Sequence, residues 1–319
     1  MTSQAGLLTP AEVLEQLALA LPEALRDDII IVGSLAAGYH FFADDGTKAI
    51  RTKDVDCLFS PHAKAVAAAV EVTEKLLEAG WIPRKDARWS EPGKPTQAVE
   101  ELPMVRLKPP GGQGGQGGQE NPGQWFVELL SAPPAYRPGE AAKKLQRVRT
   151  RTGDFAICSF DYLALVEWEP LPTRCGLRIA RPELMALANM LHHPVIGDAL
   201  IANTEDKRSN KDLGRVLALA HLTIVRERRD ETDELERWPA SMWAALQANF
   251  GLEAERLAAR AHEGIDALLA SESDLAQALR IANLGLLASM DLDLAAIRAT
   301  GRRLQVEVLE PLADLARAA

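Results

Sequence analysis

Hydrophobic and polar positions follow two different rhythms along this chain. After Thr9-Pro10-Ala11-Glu12, a capping box with proline at the first helical position, apolar residues recur at helical spacing and predict a helix through about Arg26. The run DDIIIVGS then places four β-branched residues before a Gly-Ser turn, which reads as a buried strand. Leu35 to Phe42 is a short helix-like stretch, followed by a polar loop, and Asp54 to Phe59 reads as a second strand. Ser60-Pro61 opens an Ala-rich helix that ends at Gly80. The segments ELPMVRLK and QWFVELLS read as a third and a fourth strand. From about Arg181 the spacing is helical almost to residue 319. Strands mixed with helices first, and helices only afterwards, predict an α+β fold: a mixed sheet with flanking helices over 1–175, then a helical domain over 176–319.

Between the third and fourth strands lies PPGGQGGQGGQENPG, whose Gly/Gln repeat spans 111–119. Such a stretch has nothing to bury and is expected to be a mobile loop joining two antiparallel strands.

Composition narrows the function classes. The chain has 319 residues, 47% of them apolar and 25% charged, enough for one large domain or two ordinary ones with a real core. A formal net charge of −9 argues against non-specific wrapping of nucleic acid, while leaving room for a local basic patch. Cys57, Cys158 and Cys175 are widely spaced, as expected of reduced intracellular thiols rather than a disulfide framework or a zinc site. The sequence has no apolar run near the roughly 18 residues of a membrane span, and its N-terminus lacks the basic and apolar regions of a secretory signal. A soluble cytoplasmic protein is the expectation.

Three polar interruptions of apolar strands are the candidates for chemistry. In IIIVGSLAAGYH, Gly33 and Ser34 stand where a strand enters a helix, a place that suits phosphate oxygens; Ser34 could equally be an ordinary N-cap. In RTKDVDCLF, Asp54 and Asp56 fall on one face of a strand. They are either ligands of a hard cation such as Mg²⁺ or a polar strand end paired with Lys48, Arg51 or Lys53. In WFVELLS, Glu128 shares a strand face with Phe126 and Leu130, so it must reach solvent or meet a cation. No G-x-S-x-G elbow surrounds Ser34, and His192-His193 are adjacent rather than four apart, so neither a hydrolase triad nor a zinc pair is supported. The two histidines read as helix-end residues near Pro194, and the six tryptophans as structural.

Taken in order, Gly33-Ser34, Asp54-x-Asp56 and Glu128 resemble the motif set of the DNA polymerase β-like nucleotidyltransferase superfamily. RTKDVD, RIARPELMALANML and EDKRSNKDLGRVLALA further resemble the abortive-infection type toxin nucleotidyltransferases and related bacterial transferases. The likeness spans roughly residues 28–225. It implies transfer of a nucleotidyl group from an NTP to an acceptor (a tRNA, a protein or a small molecule), with release of pyrophosphate and Mg²⁺, or Mn²⁺ in its place, as cofactor. It assigns Asp54, Asp56 and Glu128 to catalysis and metal binding, and Gly33, Ser34, Lys207, Arg208 and Lys211 to the nucleotide. It places the site in a cleft between the two domains and, for a toxin, adds a partner antitoxin. Two departures stand out: the loop 43–53 lengthens the spacing from Ser34 to Asp54, and Glu128 stands where aspartate is usual. A nucleotide-binding or protein-interaction module that no longer catalyses transfer is the alternative. The Lys211-Asp212 pair also reads as a solvated helix face.

Overall fold

The computed structural model describes residues 7–45, 48–52, 54–85, 91–110, 125–135, 143–201 and 204–319. These divide into two compact units. The first holds residues 1–163 and 169–180, and the second holds 164–168 and 181–319, where a boundary near residue 175 was expected. The Gly/Gln repeat at 111–119 lies outside the described residues.

The first unit is built on a mixed sheet. Its strands are β1 (Leu7–Leu8), β2 (Ile29–Val32), β3 (Ile50–Arg51), β4 (Asp54–Phe59), β5 (Ile82–Pro83), β6 (Arg106–Lys108), β7 (Phe126–Ser131), β8 (Lys143–Thr150), β9 (Gly153–Phe160), β10 (Leu171–Pro172) and β11 (Arg178–Ile179). The strands β1 and β3 form a small pair of their own. The main sheet runs β10-β11-β2-β4-β7-β6-β5, with β9 joined to β7 and β8 to β9. The central β2 is buried at all four positions, as expected of a run of β-branched residues with a neighbour on each side. Parallel and antiparallel pairs meet at β7, which is parallel to β4 and antiparallel to β6. The antiparallel pairing expected across the Gly/Gln stretch is therefore present.

Among the described residues, the α-helices that accompany this sheet are α1 (Pro10–Ala20), α2 (Glu23–Arg26), α3 (Gly33–Phe42) and α4 (His62–Glu78). The sequence predicted one helix from Pro10 to Arg26, but it is split. Leu21 is extended at φ −101°, ψ 136°, because the ring of Pro22 crowds the helical region of the residue before it. Proline does sit at the first turn of α1, yet Thr9 makes no side-chain cap. Similarly, Ser34 is not the N-cap of α3. Gly33 at φ +74° turns the chain straight from the strand into the helix, so Val32 occupies the cap position and Ser34 falls within the first turn. The Ala-rich α4 packs its Ala65, Ala68, Ala69, Val72 and Leu76 stripe inward against β4 and β7.

The second unit is helical from α6 (Pro182–Ile196) through α7 (Arg208–Asp230), α8 (Trp238–Phe250), α9 (Ala254–Arg260), α10 (Glu263–Ala270), α11 (Glu272–Leu284), α12 (Leu294–Leu304) and α13 (Glu310–Ala318); a single short helix, α5 (Leu163–Val166), precedes β10. The long α7 is its spine, burying Leu213, Val216, Leu217, Leu219 and Ala220 and packing against α6, α11 and α12. At Gly214 an added Cβ would stand 2.7 Å from the backbone oxygen of Ala278, so glycine lets α7 and α11 approach closely. Trp238 is the largest fully buried side chain. Among the described residues no helix is long and apolar enough to cross a membrane.

Candidate active site

The fold brings the three acids of the sheet unit together by register. Asp56 on β4 is paired directly with Glu128 on β7, and Val32 on β2 is paired with Asp56 from the other side. Directly paired residues share a face, so a polar row crosses the sheet at this level. Asp54 lies two residues from Asp56 on the same face, opposite Phe126. Strand β4 explains the segregation: Asp54 and Asp56 are half-buried, whereas Val55 and Cys57 between and after them are buried on the opposite face. Burial, with the Asp56 carboxylate alongside, pushes the Cys57 thiol strongly up, so it remains a neutral thiol and takes no part in the polar face.

Gly33 closes the row. A Cβ added there would lie 2.7 Å from Asp56 Oδ2, so the carboxylate occupies space that only glycine leaves open. The free amide end of α3 thereby comes beside a carboxylate, a favourable arrangement for the helix dipole. Asp54 is oriented by its own strand entry: Thr52 Oγ1 donates to Asp54 Oδ1 at 2.8 Å. Of the counter-ions weighed for the aspartates, Lys53 lies outside the described residues.

Glu128 meets its cation within the sheet. Arg106 on β6 is its direct antiparallel partner. Arg106 Nε donates to Glu128 Oε2 at 2.9 Å, and its second nitrogen to Oε1 at 3.1 Å. With side-chain exposures of 28% and 13%, this bidentate pair is largely desolvated and stronger than a surface ion pair. Sequence reasoning required a cation or solvent for Glu128 but did not name Arg106. The available signal was the alternation in RLK, whose two cations flank an apolar residue on a strand next to the one carrying Glu128.

The cationic side extends one strand further. Arg84, just past β5, donates its backbone N–H to Arg106 O, and its guanidinium stacks over the Phe126 ring at 4.1 Å from the centroid. Lys108 on β6 is opposite Ile82 and projects to the same face as Arg106. The row thus reads Asp56, Glu128, Arg106, Arg84 from β4 outward.

The remaining predicted residues lie in the helical unit. Lys207 stands at the N-cap position of α7 without a side-chain cap; its backbone N–H donates to Gln277 Oε1, and its Nζ pairs with Asp274 at 3.0 Å. Arg208 and Lys211 are exposed in the first turn of α7. Asp212 approaches His192, with Nδ1 3.9 Å from Oδ2. His192 and His193 were expected at a helix end, and they stand there: α6 runs through Pro194 to Ile196 and ends at Gly197, with φ +56°, and His193 falls in its last turn. Burial pushes both imidazoles below their usual value, opposed in part by Asp212 and, for His193, by Glu263.

As to metal binding, Asp54 and Asp56 supply the carboxylate oxygens that a hard cation needs. Glu128 does not complete a three-ligand set here, because both its oxygens accept from Arg106; among the described residues no group of three His, Cys, Asp or Glu is disposed to hold a metal ion. The donor set therefore fits an ion held by two carboxylates, with the rest of its shell left to water and phosphate. Compared with known proteins, the chain matches no protein-family model, and no curated protein matches it.

Proposed function

We propose that this protein is a divalent-metal-dependent nucleotidyltransferase that moves a nucleotidyl group from an NTP to an acceptor hydroxyl. The observation that carries the reading is the row Gly33, Asp56, Glu128, in which a strand-to-helix turn and two carboxylates from separate strands meet by direct register, with Asp54 beside them. Asp54 and Asp56 would hold Mg²⁺ or Mn²⁺, which when bound offsets the negative charge of the phosphates. The backbone amides at the start of α3, with the Ser34 hydroxyl, suit the β- and γ-phosphates, and the lack of a side chain at Gly33 leaves room for the Asp56 carboxylate beside them. In the reaction an acceptor oxygen bonds to the α-phosphorus, the bond from that phosphorus to the bridging oxygen breaks, and pyrophosphate leaves. The hydroxyl proton passes to a nearby carboxylate or to water. For Glu128 to accept it, one of its two hydrogen bonds from Arg106 must be exchanged. The acceptor is to be sought among RNA, protein and small molecules in a cell extract, and a toxin of this class would be silenced by an antitoxin.

The Arg106–Glu128 pair favours a second reading, a module that binds nucleotide without transferring it, because the third acid is already neutralised. One experiment separates the two. Incubation with each labelled NTP, Mg²⁺ and cell extract should give pyrophosphate release and a labelled acceptor. Asp54→Ala with Asp56→Ala should abolish both, with the melting transition retained. NTP binding without pyrophosphate release would establish the binding module, and unchanged turnover in the double variant would remove the aspartates from the mechanism.

A further inference from the structure

Both oxygens of Glu128 accept from Arg106, and the sheet itself sets up the pair. Strand β7 lies between β4 and β6, so Glu128 stands with Asp56 opposite it on one side and Arg106 opposite it on the other. Two N–H donors of the guanidinium reach the carboxylate, at 2.9 Å to Oε2 and 3.1 Å to Oε1, the fork geometry that matches a carboxylate best. Its positive charge is permanent, because arginine does not lose its proton in proteins. With the Glu128 side chain only 13% exposed, little water is at hand to take the place of the guanidinium.

We infer that Arg106 takes the place of a second metal ion, so that the site works with one divalent ion, at Asp54 and Asp56, and one guanidinium, at Glu128. The inference rests on the nucleotidyl-transfer reading and specifies how many ions that reading needs. A two-ion site holds its cations roughly 3.5–4 Å apart, which calls for carboxylates that can serve both. Here a second ion would need Glu128, whose oxygens already accept from a cation. Among the described residues no group of three His, Cys, Asp or Glu is disposed to hold a metal ion. A divalent ion brought to the same carboxylate would also be repelled by the guanidinium, at a range where salt screens little. Arg106 is thus a positioning residue: it fixes the Glu128 carboxylate and supplies a positive charge in the row that requires no metal uptake.

The test counts metal on the full chain without NTP, with Mn²⁺ alone as the probe and electron paramagnetic resonance as the readout. Wild type should take up about one Mn²⁺ per chain, with the spectrum of an isolated ion. Arg106→Gln should take up about two, and a spacing of roughly 3.5–4 Å should give them a spin-coupled spectrum. Arg106→Lys keeps a cation beside Glu128 and should stay at about one ion. Arg106→Gln with Glu128→Gln should return to about one, because the carboxylate that receives the second ion is gone. An arginine with a structural role alone would lower the melting temperature in Arg106→Gln without changing the count. Arg106→Met serves if Arg106→Gln fails to fold. The inference is overturned by a spin-coupled pair in wild type, by wild type that binds no Mn²⁺, or by a count that does not rise when the guanidinium is removed. Failure of the transfer reading shows separately, as absence of pyrophosphate release while the count still rises on removal of Arg106. A coupled pair in wild type together with pyrophosphate release would sink the inference and leave that reading standing.

Discussion

Two sets of charges, one in each unit of this chain, are assembled in different ways. In the helical unit, ion pairs repeatedly join residues three or four apart: Arg256 with Glu253, Arg260 with Glu263, His262 with Asp266, Arg303 with Glu307 and Arg317 with Asp314. Each joins residues within about one turn of the chain, on a helix or across its end. In the sheet unit, the row through Gly33, Asp56, Glu128, Arg106 and Arg84 gathers residues from five separate segments by cross-strand register. Local pairs decorate a surface, whereas a register-built row concentrates charge where the backbone cannot relax it. The second arrangement is the one from which a site can be made.

The contrast can be broken most sharply at glycine. Gly214→Ala should destabilise the protein by about 1–3 kcal/mol, because the new methyl meets rigid backbone at Ala278 and α7 must move from α11. Gly33→Ala should cost a comparable amount, about 1–2 kcal/mol from its left-handed φ of +74° alone. The two should differ in function: calorimetry with Mg–NTP should show binding lost for Gly33→Ala, whose methyl displaces the Asp56 carboxylate, and kept for Gly214→Ala. Equal binding in both variants would detach Gly33 from the site.

A smaller effect is expected from the ion pairs. Arg106→Met leaves Glu128 largely buried without its partner and should destabilise by about 1–2 kcal/mol, discounted from the cost at a fully buried pair because Arg106 is partly exposed. Replacing both members, Arg106→Met with Glu128→Gln, should recover much of that loss in thermal melts. Arg317→Met, at a solvent-exposed i, i+3 pair, should leave the melting temperature unchanged. A similar penalty at both positions would erase the distinction between local and register-built charge.

The smallest effect concerns pH in the helical unit. Burial pushes His192, His193 and His221 below their ordinary value of 6.5. As pH falls, the unfolded chain therefore takes up protons before the folded one, so stability is fully present above about pH 6.5 and declines as pH drops toward the folded values. For His192, Asp212 acts against this shift while Arg208 and His193 act with it. Melts between about pH 8 and pH 5 should show a shallower acid-side decline for His192→Gln than for wild type. An identical decline would assign the acid sensitivity to other groups.

Much of this architecture was legible because it is written in local rhythm. The β-branched run at 29–32, the glycine that turns it into a helix, the alternation that sets Asp54 and Asp56 apart from Val55 and Cys57, and the helical spacing after Arg181 each follow from the chain's own period. The failures are also instructive. The unbroken helix to Arg26 and the Ser34 cap were inferred from motif spacing and yielded to backbone geometry at Pro22 and at Gly33, while Thr9 holds the N-cap position of α1 without a side-chain bond.

What the sequence by itself determined is the list of polar residues set into apolar strands and the face each occupies, since side-chain alternation is a property of one strand. Which strands become neighbours, and in what register, depends on contacts between residues far apart in the chain. Tertiary structure alone therefore decided that Glu128 stands opposite Asp56, that Arg106 rather than solvent satisfies it, and that Arg84 and Lys108 extend the row as cations.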